Sequence, residues 1–198
     1  MKKSSCGLVL VFWMMTVLAV ATEPAKQTDK RMKPALLVID IQNEFLPMIP
    51  VQEKELALRM INYAIQLFRE NGFPVIRIYH TDPQYGPNPE TEAFEFPSSV
   101  MIKPEDPKIV KNYPNAFKKT GLEKMLREKG CNTLFLCGLS AVACVLATYH
   151  GALDHDFNAF MIKDALMSHK STYTNFVEDI FNAVGLRAVA LILENAPK

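Results

Sequence analysis

Short, fully apolar runs alternate along this chain with longer stretches in which apolar residues recur every three or four positions. Ala35-Leu36-Leu37-Val38-Ile39 is one such run, closed by Asp40. Apolarity at consecutive positions over so short a run predicts a strand covered on both faces, as in a parallel sheet. Over 52–71, Leu56, Met60, Ile61, Ala64, Leu67 and Phe68 share one face of a helix, and Gly72 supplies its stop. The same reading predicts strands at 75–79, 133–137, 159–162 and 188–193, and helices at 120–129, from about Val142, and at 171–184. Strand and helix therefore alternate. The predicted class is α/β: a three-layer α/β/α domain with a central, mainly parallel, Rossmann-like sheet, occupying 34–198.

Between residues 81 and 107 both rhythms dissolve. Six of the 13 prolines fall there, with the aromatics Tyr85, Phe94 and Phe96 among them. A long irregular insertion of this kind is usually a lid or a binding loop. In open parallel sheets, ligands bind beyond the carboxyl ends of the strands. That rule directs attention to Asp40, to His80, to the stretch 108–113 and to the stretch 138–144.

The N-terminus changes where this domain is expected to work. Lys2 and Lys3 precede an apolar run over 7–21, shorter than the roughly 20 residues a spanning helix needs. The run ends in Ala19-Val20-Ala21, small residues at the positions a signal peptidase reads. A signal peptide over 1–21, cleaved after Ala21, and a flexible leader over 22–33 are expected, giving a secreted or periplasmic protein with no membrane attachment after cleavage. The formal charge is +1, so no nucleic-acid partner is indicated. With 8 glycines and no GxGxxG or GxxxxGK[ST] pattern, a phosphate-cradling loop has no basis.

Export also bears on the cysteines. Cys131, Cys137 and Cys144 remain after cleavage, an odd number. Cys131 and Cys137 bracket one predicted strand, and six extended residues span about 20 Å, beyond the ~7 Å Cα limit for a disulfide. All three are expected to be reduced.

Three residues are candidates for chemistry. Asp40 ends an apolar run, where little water holds its charge, so its pKa should rise and suit it to carry a proton. A turn or capping role is equally open to it. Cys144 follows a strand and a glycine-containing turn, near the start of a helix whose N–H groups and dipole would favour a thiolate. A buried structural cysteine is the plainer alternative, and Cys131 and Cys137 are assigned to it. Lys111 closes Lys108-Ile109-Val110-Lys111, ordinarily a surface lysine but here at a candidate strand end.

The stretch Leu36-Leu37-Val38-Ile39-Asp40-Ile41-Gln42-Asn43-Glu44-Phe45 resembles the opening motif of the isochorismatase-like cysteine hydrolases. That superfamily includes nicotinamidases and N-carbamoylsarcosine amidohydrolase. Lys111 with Ala116-Phe117 and Thr120-Gly121-Leu122 resembles its lysine segment. Gly138-Leu139-Ser140 followed by Cys144-Val145-Leu146-Ala147-Thr148 resembles its nucleophile segment, and Lys163-Asp164-Ala165 the turn after the next strand.

The resemblance implies an Asp40–Lys111–Cys144 triad and a non-proline cis peptide between Leu139 and Ser140. It implies hydrolysis of a C–N bond in a small amide or ureido compound through a thioester. The backbone N–H groups of Ser140 and Cys144 would form the oxyanion hole, and Gln42, Phe45 and Tyr85 would shape the substrate pocket. Self-association is the family's habit. Two departures stand out. Ala141 occupies the position where family members commonly carry threonine. His80 has no second or third histidine nearby, unlike the metal-binding nicotinamidases, so neither a metal nor another cofactor is expected. Two other outcomes fit the same scaffold: isochorismatase-type vinyl ether hydrolysis, and a secreted binding protein without activity.

Overall fold

A computed structural model describes residues 31–197. The expected signal peptide with its cleavage after Ala21, and the leader up to residue 30, lie outside the described residues. Among those described, no helix is long and apolar enough to cross a membrane.

Six strands form one all-parallel sheet: β1 (Pro34–Ile39), β2 (Val75–His80), β3 (Lys108–Lys111), β4 (Thr133–Leu139), β5 (Asn158–Met167) and β6 (Ala183–Val184). Their spatial order is β3-β2-β1-β4-β5-β6, so the order reverses between β1 and β4. The helices are α1 (Val51–Glu70), α2 (Leu122–Glu128), α3 (Leu146–Asp154), α4 (Ser171–Ile180) and α5 (Leu186–Asn195). A five-residue π turn, Ala141–Val145, precedes α3.

The central strands are apolar on both sides because each side carries a core. Leu36 and Val38 of β1 pack with Ala57, Ile61, Ala64, Ile65 and Phe68 of α1 and with Val189 and Leu193 of α5. Ala35, Leu37 and Ile39 point to the other core, with Leu122 and Leu126 of α2 and Tyr149 and Ala152 of α3. Each fully buried Leu, Ile or Phe contributes about 1.5–3 kcal/mol. Edge strand β3 obeys the two-residue period instead: Ile109 and Lys111 face inward while Lys108 and Val110 are exposed.

Two expectations are corrected. Residues 188–193 form the middle of α5, not a strand. A run of six apolar residues is ambiguous between the two periods, and the buried pair Val189 and Leu193, four apart, settles it as a helix. The last strand is the short β6, inside the segment expected to be helical. The irregular stretch 81–107 is mostly exposed, with Pro87, Phe94, Phe96 and Val100 buried. Phe94 and Phe96 stack on Tyr79 at ring separations of 4.9 and 4.3 Å and form part of the core. Backbone bonds from Asn43 to Glu95 and from Glu44 to Ala93, both 2.9 Å, tie this stretch to the chain just after β1.

Gly138 in β4 lies opposite Ile39, with φ +118°. A Cβ there would sit 2.1 Å from the Ile39 carbonyl oxygen. Only glycine lets the ends of β1 and β4 approach this closely. Gly138→Ala should therefore destabilise the protein by about 3 kcal/mol or more in urea unfolding. A wild-type midpoint would show that this contact is not tight.

Candidate active site

Asp40 follows β1 and Ser140 follows β4, so both flank the point where strand order reverses, the usual ligand position in such sheets. Asp40 adopts φ +53°, a left-handed conformation that aspartate tolerates better than most residues. Its N–H donates to Ile78 of β2 at 2.9 Å. The side chain is 2% exposed.

Lys111 is fully buried because the alternation of β3 turns it inward. Its Nζ donates to Asp40 Oδ2 at 2.7 Å. His80 is the register partner of Lys111 across β2 and β3, and its Nδ1 lies 3.3 Å from the same Nζ. Cys144 sits in the π turn after β4, half-buried. One donor atom each from Asp40, His80 and Cys144 lies within 4.8 Å of the other two. Asp40 Oδ1 is buried and has no hydrogen-bond partner among the described residues.

The electrostatics follow from burial. Loss of water raises the Asp40 pKa, and the Lys111 charge opposes that rise, with smaller help from Cys144 and His80. His80 is pushed below its ordinary value, first by burial and then by Lys111. The helix-start argument for a ready thiolate is corrected here. Burial, reinforced by the negative charge of Asp40, pushes the Cys144 thiol up to about 12, although Lys111 pulls the other way. The resting group is a thiol. A thiolate must be made by handing its proton to a base at the moment of need.

The other expected residues fall in different places. The Leu139–Ser140 peptide is cis. The Ser140 carbonyl accepts from Ala143 at 3.0 Å and from Val145 at 3.2 Å, closing the π turn that carries Cys144. Ser140 Oγ lies 3.3 Å from Ser168 Oγ at the end of β5. Phe45 is partly buried, its ring 6.3 Å from that of His80. Gln42 is fully buried and clamps the His80 backbone: Nε2 donates to the carbonyl at 2.9 Å, and Oε1 accepts from the N–H at 2.7 Å. Both ends of its amide are engaged, which ties the chain after β1 to the end of β2. Tyr85 is 80% exposed, on the outer part of the 81–107 stretch.

Two contacts were not legible in the sequence. His80 was visible as a strand-end residue, but its pairing with Lys111 depends on a register that the sequence does not display. Glu53, in the first turn of α1, accepts from the Ser168 N–H at 3.0 Å, Ser171 Oγ at 2.6 Å and Thr174 Oγ1 at 2.5 Å. It thereby joins α1 to the end of β5 and the start of α4, beside Ser140. A buried Asp, His and Cys together suggest a metal, yet the donor set does not fit one well. An ammonium group already takes one carboxylate oxygen and one imidazole nitrogen, and its charge opposes a divalent ion there.

With this geometry in hand, the comparisons with known proteins agree on one assignment. The Isochorismatase domain model matches residues 34–186. An uncharacterized isochorismatase family protein of Bacillus subtilis, YddQ, is 33% identical over 153 residues, covering 75% of this chain and 83% of that protein. A probable inactive nicotinamidase of Arabidopsis thaliana is 29% identical, over 66% of this chain and 79% of that one. The crystal structure of N-carbamoylsarcosine amidase from Thermoplasma acidophilum superposes with a TM-score of 0.67 at 25% identity, covering 78% of this chain and 95% of that one. The chain belongs to the isochorismatase family of hydrolases and has that family's α/β fold.

The raised thiol makes a direct prediction. At about pH 8 an unfolded cysteine, with pKa near 8.5, is partly thiolate, whereas Cys144 at about 12 is almost wholly protonated. Iodoacetamide should therefore label Cys144 at least roughly tenfold more slowly in the native protein than in urea. Equal rates would contradict the raised pKa.

Proposed function

We propose that the protein is a cysteine-dependent amidohydrolase that cleaves a C–N bond in a small amide or ureido compound. The observation carrying this reading is the convergence of three strand-end residues: a buried Asp40, its Lys111 ion pair and the Cys144 thiol, with Asp40 Oδ1 left without a partner. The likeness to N-carbamoylsarcosine amidase points the same way.

In this mechanism Asp40 Oδ1 takes the Cys144 proton while Lys111 keeps hold of Oδ2. The thiolate attacks the substrate carbonyl carbon, and the backbone N–H groups of Ser140 and Cys144 hold the developing oxyanion. The C–N bond breaks as Asp40 returns its proton to the departing nitrogen, leaving a thioester on Cys144. Water then attacks the thioester carbon and gives a proton to Asp40. The C–S bond breaks, and that proton returns to the sulfur as the acid leaves. Aspartate suits both proton transfers because burial raises its pKa toward that of the groups it serves. Phe45 would face the substrate beside His80. The same proposal takes the protein as exported, cleaved after Ala21, self-associating and acting without a cofactor.

A second reading has its own observation, since a relative is named as a probable inactive nicotinamidase. One experiment separates the two. Purified protein is screened over small amides, ureido acids and half-amides by ammonia release, with isochorismate and pyruvate release as a further arm. Cys144→Ala and Asp40→Asn should each lower amide hydrolysis by about a thousandfold or more while circular dichroism stays native. Turnover retained in Cys144→Ala rules out the cysteine mechanism, and no turnover in any arm favours the inactive scaffold.

A further inference from the structure

His80 is the one polar member of the cluster to which the mechanism above gives no role. Three facts constrain it. Its backbone is clamped on both sides by Gln42, so the ring is carried on a fixed strand end. Its Nδ1 lies 3.3 Å from Lys111 Nζ, the register neighbour on β3. An ammonium group has three donors and no acceptor, so in that contact Lys111 donates and Nδ1 accepts. The imidazole must then be neutral, with its proton on Nε2.

We propose that His80 is a positioning residue that acts through Lys111: Nδ1 takes one ammonium proton while Asp40 Oδ2 takes another, fixing the lysine on one carboxylate oxygen and leaving Oδ1 for the Cys144 proton. This inference rests on the reading of Asp40 as the proton carrier. A lysine with a single buried acceptor can swing about the carboxylate and cover either oxygen. A second acceptor, held by a different strand, gives the ammonium a direction. The charged and titratable groups around the ring are Lys111 from β3, Asp40 from the end of β1, Cys144 from the π turn, and Asp82 on the chain after β2. Protonation of His80 would remove the Nδ1 acceptor and place a second positive charge beside Lys111. The neutral form is the working form, and the low pKa of His80 preserves it down to mildly acidic pH. Activity is therefore retained above the His80 pKa and lost as pH falls through it. Asp40 contributes a second ionisation on the acid side.

The test has a spectroscopic arm and a kinetic arm. In nitrogen NMR of labelled histidine, His80 should show the Nε2–H tautomer at neutral pH and titrate below its ordinary value of about 6.5. In Lys111→Met its midpoint should rise, because a neighbouring cation has been removed. A proton on Nδ1, or a midpoint unmoved by Lys111→Met, overturns the inference. In the kinetic arm, His80→Asn places a carbonyl oxygen near the Nδ1 position. It should keep kcat within about threefold of wild type and lose one acid-side ionisation from the pH profile. His80→Leu should lose roughly tenfold or more in kcat with KM little changed. Equal kcat in the Leu and Asn variants overturns the inference, since a filler role would not distinguish them. If no amide is hydrolysed, the amidohydrolase reading falls, and the NMR arm still decides the His80–Lys111 contact.

Discussion

The ion pair between Lys111 and Asp40 is the constraint on which the rest of this site depends. Both groups are removed from water, at 0% and 2% exposure, and they meet at 2.7 Å. Burying two charges is costly, and their mutual attraction repays it only when the geometry is good and the remaining valences are used. Removing one partner of such a pair typically costs about 3–5 kcal/mol. Here the valences are used unevenly. Lys111 is flanked by two acceptors, whereas Asp40 keeps one oxygen without a partner. An acceptor left open beside a thiol is what the proposed proton transfer from Cys144 requires.

Several parts of the fold exist to hold that pair in place. The reversal of strand order between β1 and β4 opens the crevice. Gly138 lets the two strand ends close to a distance that no side chain would permit. Gln42 ties the end of β1 to that of β2, and Glu53 ties α1 to the end of β5 and to α4. The aromatic stack of Tyr79, Phe94 and Phe96 anchors the long irregular stretch against α1. These contacts differ in kind, yet each restrains a segment that borders the candidate site.

The sequence displayed the layers well because strands buried on both faces and helices buried on one leave different periods. It displayed Asp40, which closes an apolar run, and Cys144, which follows a strand and a glycine-containing turn. Lys111 was harder, being one lysine among many, and only the inward phase of β3 separates it from Lys108 three residues earlier. What stayed hidden depended on register or on distant contacts. His80 and Lys111 are 31 residues apart in the chain and become neighbours only through strand pairing. The run 188–193 misled because uniform apolarity carries no period, and α5 is fixed by what it packs against. The thiol pKa was misjudged for a related reason. Proximity to a helix start can be read locally, but the burial and the opposing carboxylate that outweigh it cannot.

The proposed chemistry requires that Cys144 become covalently bonded to the substrate acyl group. Rapid acid quench during turnover of a hydrolysed amide, followed by peptide mass spectrometry, tests this directly, with hydroxylamine added in a parallel reaction. The account predicts an acyl adduct on the peptide bearing Cys144 and diversion of product to the hydroxamate as hydroxylamine increases. Sustained turnover with Cys144 unmodified at every quench time, and with no hydroxamate formed, would contradict it.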